Sequence, residues 1–270
     1  TFEKNISTPS YWGSFQYTTC TDENGFRILC NSSKKFKKNL ILIGDSFTEG
    51  IGLDYDKTFA GMMTKKWKIN IHNMSVASYS PLIYKKKVNH FLNNGLKTNH
   101  VIVFIDISDV VDENLYFLCE DTISICSNRD SVSSNLLQKK NERLPLYGML
   151  KKFIKKQKRK IFPKNIIYEK DFHRSSWTYQ IEDKNIKDGI QKSIKNMSEL
   201  YSSLSKKNIS LSIVVYPWPG QILYDVENSK QVKIWREFCE NKCKNFINLF
   251  PIFFEKKKFF NKKELLEKYY

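Results

Sequence analysis

The chain alternates short, uninterrupted apolar runs with longer segments of helical period. Leu40-Ile41-Leu42-Ile43 is one such run, ended by Gly44. A short run without polar interruption predicts a strand buried on both faces, as in a parallel sheet. Val101 to Ile105 is a second such run, and apolar stretches with polar interruptions predict strands over Ile69 to Met74, Leu211 to Tyr216 and Phe246 to Phe250. Helical spacing between them predicts helices over Phe59 to Trp67, Ile83 to Asn93, Ile186 to Leu204 and Lys230 to Lys242. In the third of these, Ile186, Ile190, Ile194, Met197 and Leu200 form one stripe. Strand alternating with helix implies βαβ units and a parallel sheet of about five strands.

Two stretches break the alternation. Residues 1–36 are rich in Thr, Ser, Asn and aromatics, and read as an irregular N-terminal extension packed on the core. Residues 113–176 lose their period and read as an insertion or cap after the third strand. The length of 270 residues suits one domain over 1–270 with a full core.

Charge changes the picture little. The net charge is +17, but Lys far outnumbers Arg and is spread along the chain. Base readout leans on Arg, and no nucleic-acid motif is present, so nucleic acid is not an expected partner. Residues 151–160 mix basic and a few apolar residues. They read as a solvated helix, with peripheral contact to an anionic membrane as the alternative. No run of about 18 apolar residues is present to span a bilayer. The chain opens at Thr1 without Met and stops at Tyr270, and both ends read as cut, with room upstream for a signal or anchor.

Six cysteines fall in three local pairs: Cys20 with Cys30, Cys119 with Cys126, and Cys239 with Cys243. An even, paired count suits disulfides in an extracytoplasmic, oxidising compartment. The third pair has helical i, i+4 spacing, which suits a disulfide less well. None has the tight C-x-x-C spacing of a zinc site, so no metal is expected.

Candidate chemistry gathers at the carboxyl ends of the strands, where open α/β sheets place their sites. Gly44-Asp45-Ser46 follows the first strand. Asn73-Met74-Ser75 closes the second, and Asp106-Ile107-Ser108-Asp109 follows the third. Tyr216-Pro217-Trp218 ends the fourth and sets an aromatic at the rim, or packs Trp218 in the core. A serine at a strand-to-helix turn is exposed, and its N–H opens a helix that favours developing negative charge. The plainer reading makes Ser46 a helix cap and the other polar residues turn formers.

Gly44-Asp45-Ser46, straight after a buried first strand, resembles the first block of the SGNH, or GDSL-type, hydrolases. Asn24-Gly25-Phe26-Arg27 resembles a motif that often precedes the first strand in bacterial members. The resemblance implies a flavodoxin-like three-layer α/β/α sandwich. It makes Ser46 the nucleophile, with Asp45, Asn73 and Asp109 lining the site. It gives Ser75, by its backbone N–H, and Ser108, by its hydroxyl, as oxyanion donors. Ser75 stands where the family has Gly, and Ser108 where it has Asn. Asp106 and Asp109 are expected to be hydrogen-bonded nearby or turned away.

A serine needs a base. The family's Asp-x-x-His block follows its fifth strand, but no His follows His173 here. The expectation is a chain cut before that block. The alternative base is His173, in Asp171-Phe172-His173, since an Asp-x-His pair serves some SGNH-like polysaccharide acetyltransferases. His72, His90 and His100 read as packing or surface residues.

The function expected is hydrolysis of acyl esters on carbohydrate or cell-envelope substrates, without a cofactor. O-acyl transfer to a polysaccharide and glycan binding by an inactive domain are the alternatives. A phosphate loop at Gly44 to Gly50 lacks the Lys it would need.

Overall fold

A computed structural model describes residues 2–30, 36–117, 174–180 and 184–257. Its centre is a five-stranded parallel sheet of β3 (Asn39–Ile43), β4 (Asn70–Asn73), β5 (His100–Ile105), β6 (Ser210–Val215) and β7 (Asn245–Asn248). The spatial order is β4-β3-β5-β6-β7, with every neighbouring pair parallel. The predicted strands stand within a residue or two of these bounds.

Helices cover both faces and make the three-layer α/β/α sandwich that the resemblance implies. On one face Ile41, Ile43, Val101, Val103, Ile105, Ile213 and Val215 point into one core. It is completed by α3 (Pro81–Asn93), α5 (Lys184–Ser205) and α7 (Lys230–Cys239), through residues such as Val88, Leu200 and Trp235. On the other face Leu40, Leu42, Ile71, Ile102 and Phe104 meet α2 (Phe59–Trp67) through Phe59, Ala60 and Met63. Successive strand residues thus serve opposite layers, which explains the uninterrupted apolar runs.

The N-terminal extension is not irregular. β1 (Ser7–Trp12) and β2 (Phe15–Cys20) form an antiparallel hairpin turned at Gly13-Ser14. A disulfide joins Cys20 to Cys30. Gly25 takes φ +76° in the turn where Asp22 accepts the N–H groups of Asn24 and Phe26. Phe26 is thereby driven into the core against Phe91, at 4.6 Å.

α1 (Ser46–Glu49) is the helix expected to open at Ser46, while three short elements lie beyond the sequence expectation: α4 (Asp109–Phe117), α6 (Pro219–Tyr224) and α8 (Phe250–Lys257). α4 crosses the boundary expected at residue 113. Trp177, in a 3₁₀ turn over Ser176–Thr178, packs on Ile107 and Val110 and gives its indole N–H to the Ile107 carbonyl at 3.3 Å. Most of the stretch 113–176, with its basic segment 151–160, Cys119, Cys126 and His173, lies outside the described residues.

Cys239 and Cys243 are joined by a disulfide, against the expectation from their spacing. The reason is local: α7 ends at Cys239, and the chain turns so that the two Cα atoms stand 4.7 Å apart.

Candidate active site

The loops after β3, β4, β5 and β6 meet at one end of the sheet. Gly44 lets the chain leave β3 closely. A Cβ at this residue would stand 2.4 Å from Thr48 Oγ1 and 3.0 Å from the Phe104 carbonyl. Asp45 then caps α1, accepting the Phe47 N–H at 3.0 Å, and Gly50 closes it at φ +79°. Ser46 is the first residue of that helix and is half-buried, while Asp45, Asn73, Ser75, Ser108 and Asp109 are buried.

α1 is held from below by Arg27. Its guanidinium donates to the Glu49, Gly50 and Leu53 carbonyls at 2.8, 2.8 and 2.7 Å. Asn73 Nδ2 donates to the Thr48 carbonyl at 2.7 Å, which ties the end of β4 to the same helix. Glu49 accepts the Ala77 N–H at 2.7 Å and so fixes the loop after β4.

Carboxylates crowd this end of the sheet. Ser46 donates its hydroxyl to Asp45 Oδ2 at 3.2 Å. Tyr216 bridges Asp45 Oδ1 and Asp106 Oδ2, with its hydroxyl 3.1 Å from each. Trp218 also gives its indole N–H to Asp106 Oδ2. Asp106 Oδ1 accepts the Ser108 N–H at 2.8 Å. Asp109 accepts the Asp106 N–H at 3.2 Å and the Tyr84 hydroxyl at 3.0 Å. Both acids are thus hydrogen-bonded to their surroundings, in the geometry expected of them. Burial, then the charge of Asp106, pushes Asp45 up to about 8. Burial likewise raises Asp109 well above the carboxylate range.

The two expected oxyanion donors are engaged locally. The Ser75 N–H donates to Asn73 Oδ1 at 3.1 Å, while the buried Ser75 hydroxyl has no hydrogen-bond partner among the described residues. The Ser108 hydroxyl donates to Asp112 Oδ2 at 3.2 Å. Asp112 escaped the sequence reading, although it stands four residues after Ser108, one helical turn on. Trp218 is half-buried and, with Tyr216, flanks Phe47 at ring separations of 5.7 and 5.4 Å.

The described histidines stand elsewhere. His100 Nε2 pairs with Ser212 Oγ at 2.8 Å, near the opposite end of the sheet. His90 is exposed on α3. His72 sits within β4 beside Phe26, at 6.0 Å, and burial lowers its pKa. Among the described residues no group of three His, Cys, Asp or Glu side chains is set to hold a metal ion.

Several solved structures are similar to the chain. The chain is similar to AlinE4, an SGNH-hydrolase family esterase, at 11% identity over 87% of this chain and 92% of that one, with a TM-score of 0.45. It is similar to an acetylxylan esterase, Axe2 from Geobacillus stearothermophilus, solved as a catalytic mutant, at 11% identity over 85% and 84%, TM-score 0.44. TesA aligns at 9% identity over 76% and 74%, TM-score 0.40. No family model and no curated protein matches the chain.

Proposed function

We propose that this protein is a serine hydrolase of acyl esters, with Ser46 as its nucleophile. One observation carries the reading. Of the described polar residues predicted for the site, Ser46 and Trp218 alone reach solvent, and Ser46 alone is a nucleophile. It sits on a buried, well-tied turn at the sheet's carboxyl end, where a substrate carbonyl can approach.

In the proposed reaction Ser46 Oγ adds to the ester carbonyl while a base takes its proton. The tetrahedral adduct collapses, the alcohol leaves with that proton, and an acyl-enzyme remains. Water adds in turn and frees the acid and Ser46. The oxyanion is held by the Ser46 N–H and by Ser75, whose unpaired hydroxyl needs no partner broken to donate. The Ser108 hydroxyl would have to leave Asp112 to take part. The alternative base that the chain itself offers to this proposal is His173, which lies outside the described residues. The rings of Trp218 and Phe47 favour a carbohydrate ester, and the disulfides favour an extracytoplasmic site of action. A sugar hydroxyl in place of water would make the same acyl-enzyme an O-acyl donor.

A second reading, an inactive glycan-binding domain, is favoured by the local engagement of the Ser75 N–H and the Ser108 hydroxyl. A fluorophosphonate probe separates the two. Labelling of the wild type that is lost in Ser46→Ala and reduced in His173→Ala supports the hydrolase. An unlabelled wild type sinks it in favour of binding alone.

A further inference from the structure

A serine nucleophile must give up its proton, and the fold sets an acceptor against it. The Ser46 hydroxyl donates to Asp45 Oδ2 at 3.2 Å, while the described histidines stand elsewhere. The contacts run on from there. Asp45 Oδ1 lies 3.1 Å from the Tyr216 hydroxyl, which lies 3.1 Å from Asp106 Oδ2. At Asp106 the line stops. It also accepts the Ser108 N–H, at 2.8 Å, and the Trp218 indole N–H, and both of these groups can only donate. Asp106 thus receives hydrogen bonds as a carboxylate does, and the Tyr216 proton points to it. Asp45 keeps a proton on Oδ1 and gives it to the Tyr216 oxygen, which leaves Oδ2 open to Ser46.

Placement agrees. Asp45, Asp106 and Tyr216 follow β3, β5 and β6, three neighbouring strands, so the sheet itself sets their spacing. All three are buried, which keeps bulk water from breaking the line. The other titratable groups beside it, Asp109 and Tyr84, bond to each other and stay out of it. Asp109 accepts the Tyr84 hydroxyl and the Asp106 N–H, and neither contact uses an oxygen of the line.

We propose that Asp45 is the base that receives the Ser46 proton, with Tyr216 and Asp106 relaying a proton onward from it. This rests on the hydrolase reading and gives its proton a destination among the described residues. As Ser46 Oγ bonds to the ester carbonyl carbon, the Oγ proton passes to Asp45 Oδ2. The Oδ1 proton passes to Tyr216, and the Tyr216 proton to Asp106. The negative charge of Asp106 thus moves to the oxyanion. When the carbonyl re-forms, the bond to the alcohol oxygen breaks, Asp45 Oδ2 returns a proton to that oxygen, and the line runs back. Water repeats the cycle on the acyl-enzyme and restores Ser46.

The rate of fluorophosphonate labelling of the full chain tests this. Against pH, the wild type should show no step near about 6.5, where an imidazole base titrates. It should change instead near about 8, where Asp45 loses the proton that burial, and then the charge of Asp106, hold on it. Asp45→Asn, which keeps an oxygen to cap α1, should lose about 10²-fold or more in rate. Tyr216→Phe cuts the line beyond Asp45 and should lose about tenfold. In mixtures of light and heavy water the wild-type rate should curve with the deuterium fraction, as several protons move together, and the Tyr216→Phe rate should be straight. A purely structural role for Tyr216 would leave that curvature in place. Labelling of folded Asp45→Asn within about threefold of wild type overturns the proposal and leaves the hydrolase reading standing with its base elsewhere. A wild-type step near about pH 6.5 or a straight wild-type line in heavy water does the same, and neither needs a variant to fold. An unlabelled wild type removes the hydrolase reading and this proposal with it.

Discussion

The Tyr216 phenol and the Asp45 carboxyl meet 3.1 Å apart, although 171 residues separate them in the chain. The same phenol oxygen lies 3.1 Å from Asp106. A phenol has one proton, so it can donate to only one of the two carboxyls. The other contact is completed when Asp45 keeps its own proton, which its raised pKa of about 8 provides at neutral pH. Asp45 Oδ2 then remains free to accept from Ser46. A neutral acid beside the proposed nucleophile is the electrostatic signature of this site.

Asp45 therefore sets a pH dependence of stability. Unfolded, it titrates near about 3.9, and folded at about 8. Between those values the folded protein binds more protons, so the unfolding free energy falls as pH rises. The contribution is full below the unfolded value and lost by about pH 8. Asp45→Asn has no such proton to lose. Urea unfolding at pH 5 and pH 9 should show the variant gaining on the wild type by at least about 1.4 kcal/mol, the worth of one pKa unit. Parallel pH profiles would refute the assignment.

Ser108 should matter little to catalysis. Its hydroxyl already donates to Asp112, so Ser108→Ala should keep kcat/KM on a nitrophenyl ester within about tenfold of wild type. Loss of a true oxyanion donor costs about 10²–10³. Ser75→Ala, on the proposed roles, should show the larger loss of the two.

Arg27 is 1% exposed and serves three carbonyls at once. Arg27→Met strands all three and should destabilise the protein by about 3 kcal/mol or more. Arg27→Lys should recover only part of this, because an ammonium lacks the planar fork. Denaturant midpoints of the three proteins measure the order.

Gly44→Ala should uncouple stability from reactivity. The added methyl meets Thr48 and the Phe104 backbone, at an overpacking cost of about 1–3 kcal/mol. The easiest relief is a shift of α1, which carries Ser46. The rate of probe labelling, read well below the melting temperature, should fall even in the fraction that stays folded.

The centre of the parallel sheet was legible because strands such as β3 and β5 are covered on both faces and so read as plain apolar runs. Val101 to Ile105 is the clearest case. α4 was not legible, because its buried face holds Asp109, Asp112 and Glu113, which interrupt any apolar stripe. The hairpin was missed for the opposite reason. Most of its residues are exposed on both faces, so no alternation marks the strands. At the site, Gly44-Asp45-Ser46 stood out because turn, cap and hydroxyl are adjacent in the chain. The role of Tyr216 could not stand out, since its partners Asp45 and Asp106 come from other strands. The motif Asn24-Gly25-Phe26-Arg27 has its physical account here as well. Gly makes the turn, Phe fills the core and Arg secures the helix that Ser46 begins.

Tyr216 also makes the site a late event in folding. Asp45, Asp106 and Tyr216 leave β3, β5 and β6, and contacts so distant in sequence form slowly. The turn at Ser46 can form as soon as β3 and α1 are made, but its surroundings wait for a strand more than 160 residues downstream. During refolding, reactivity at Ser46 would therefore appear with closure of the β5–β6 pair, and the serine would act as a chemical clock for the completed sheet.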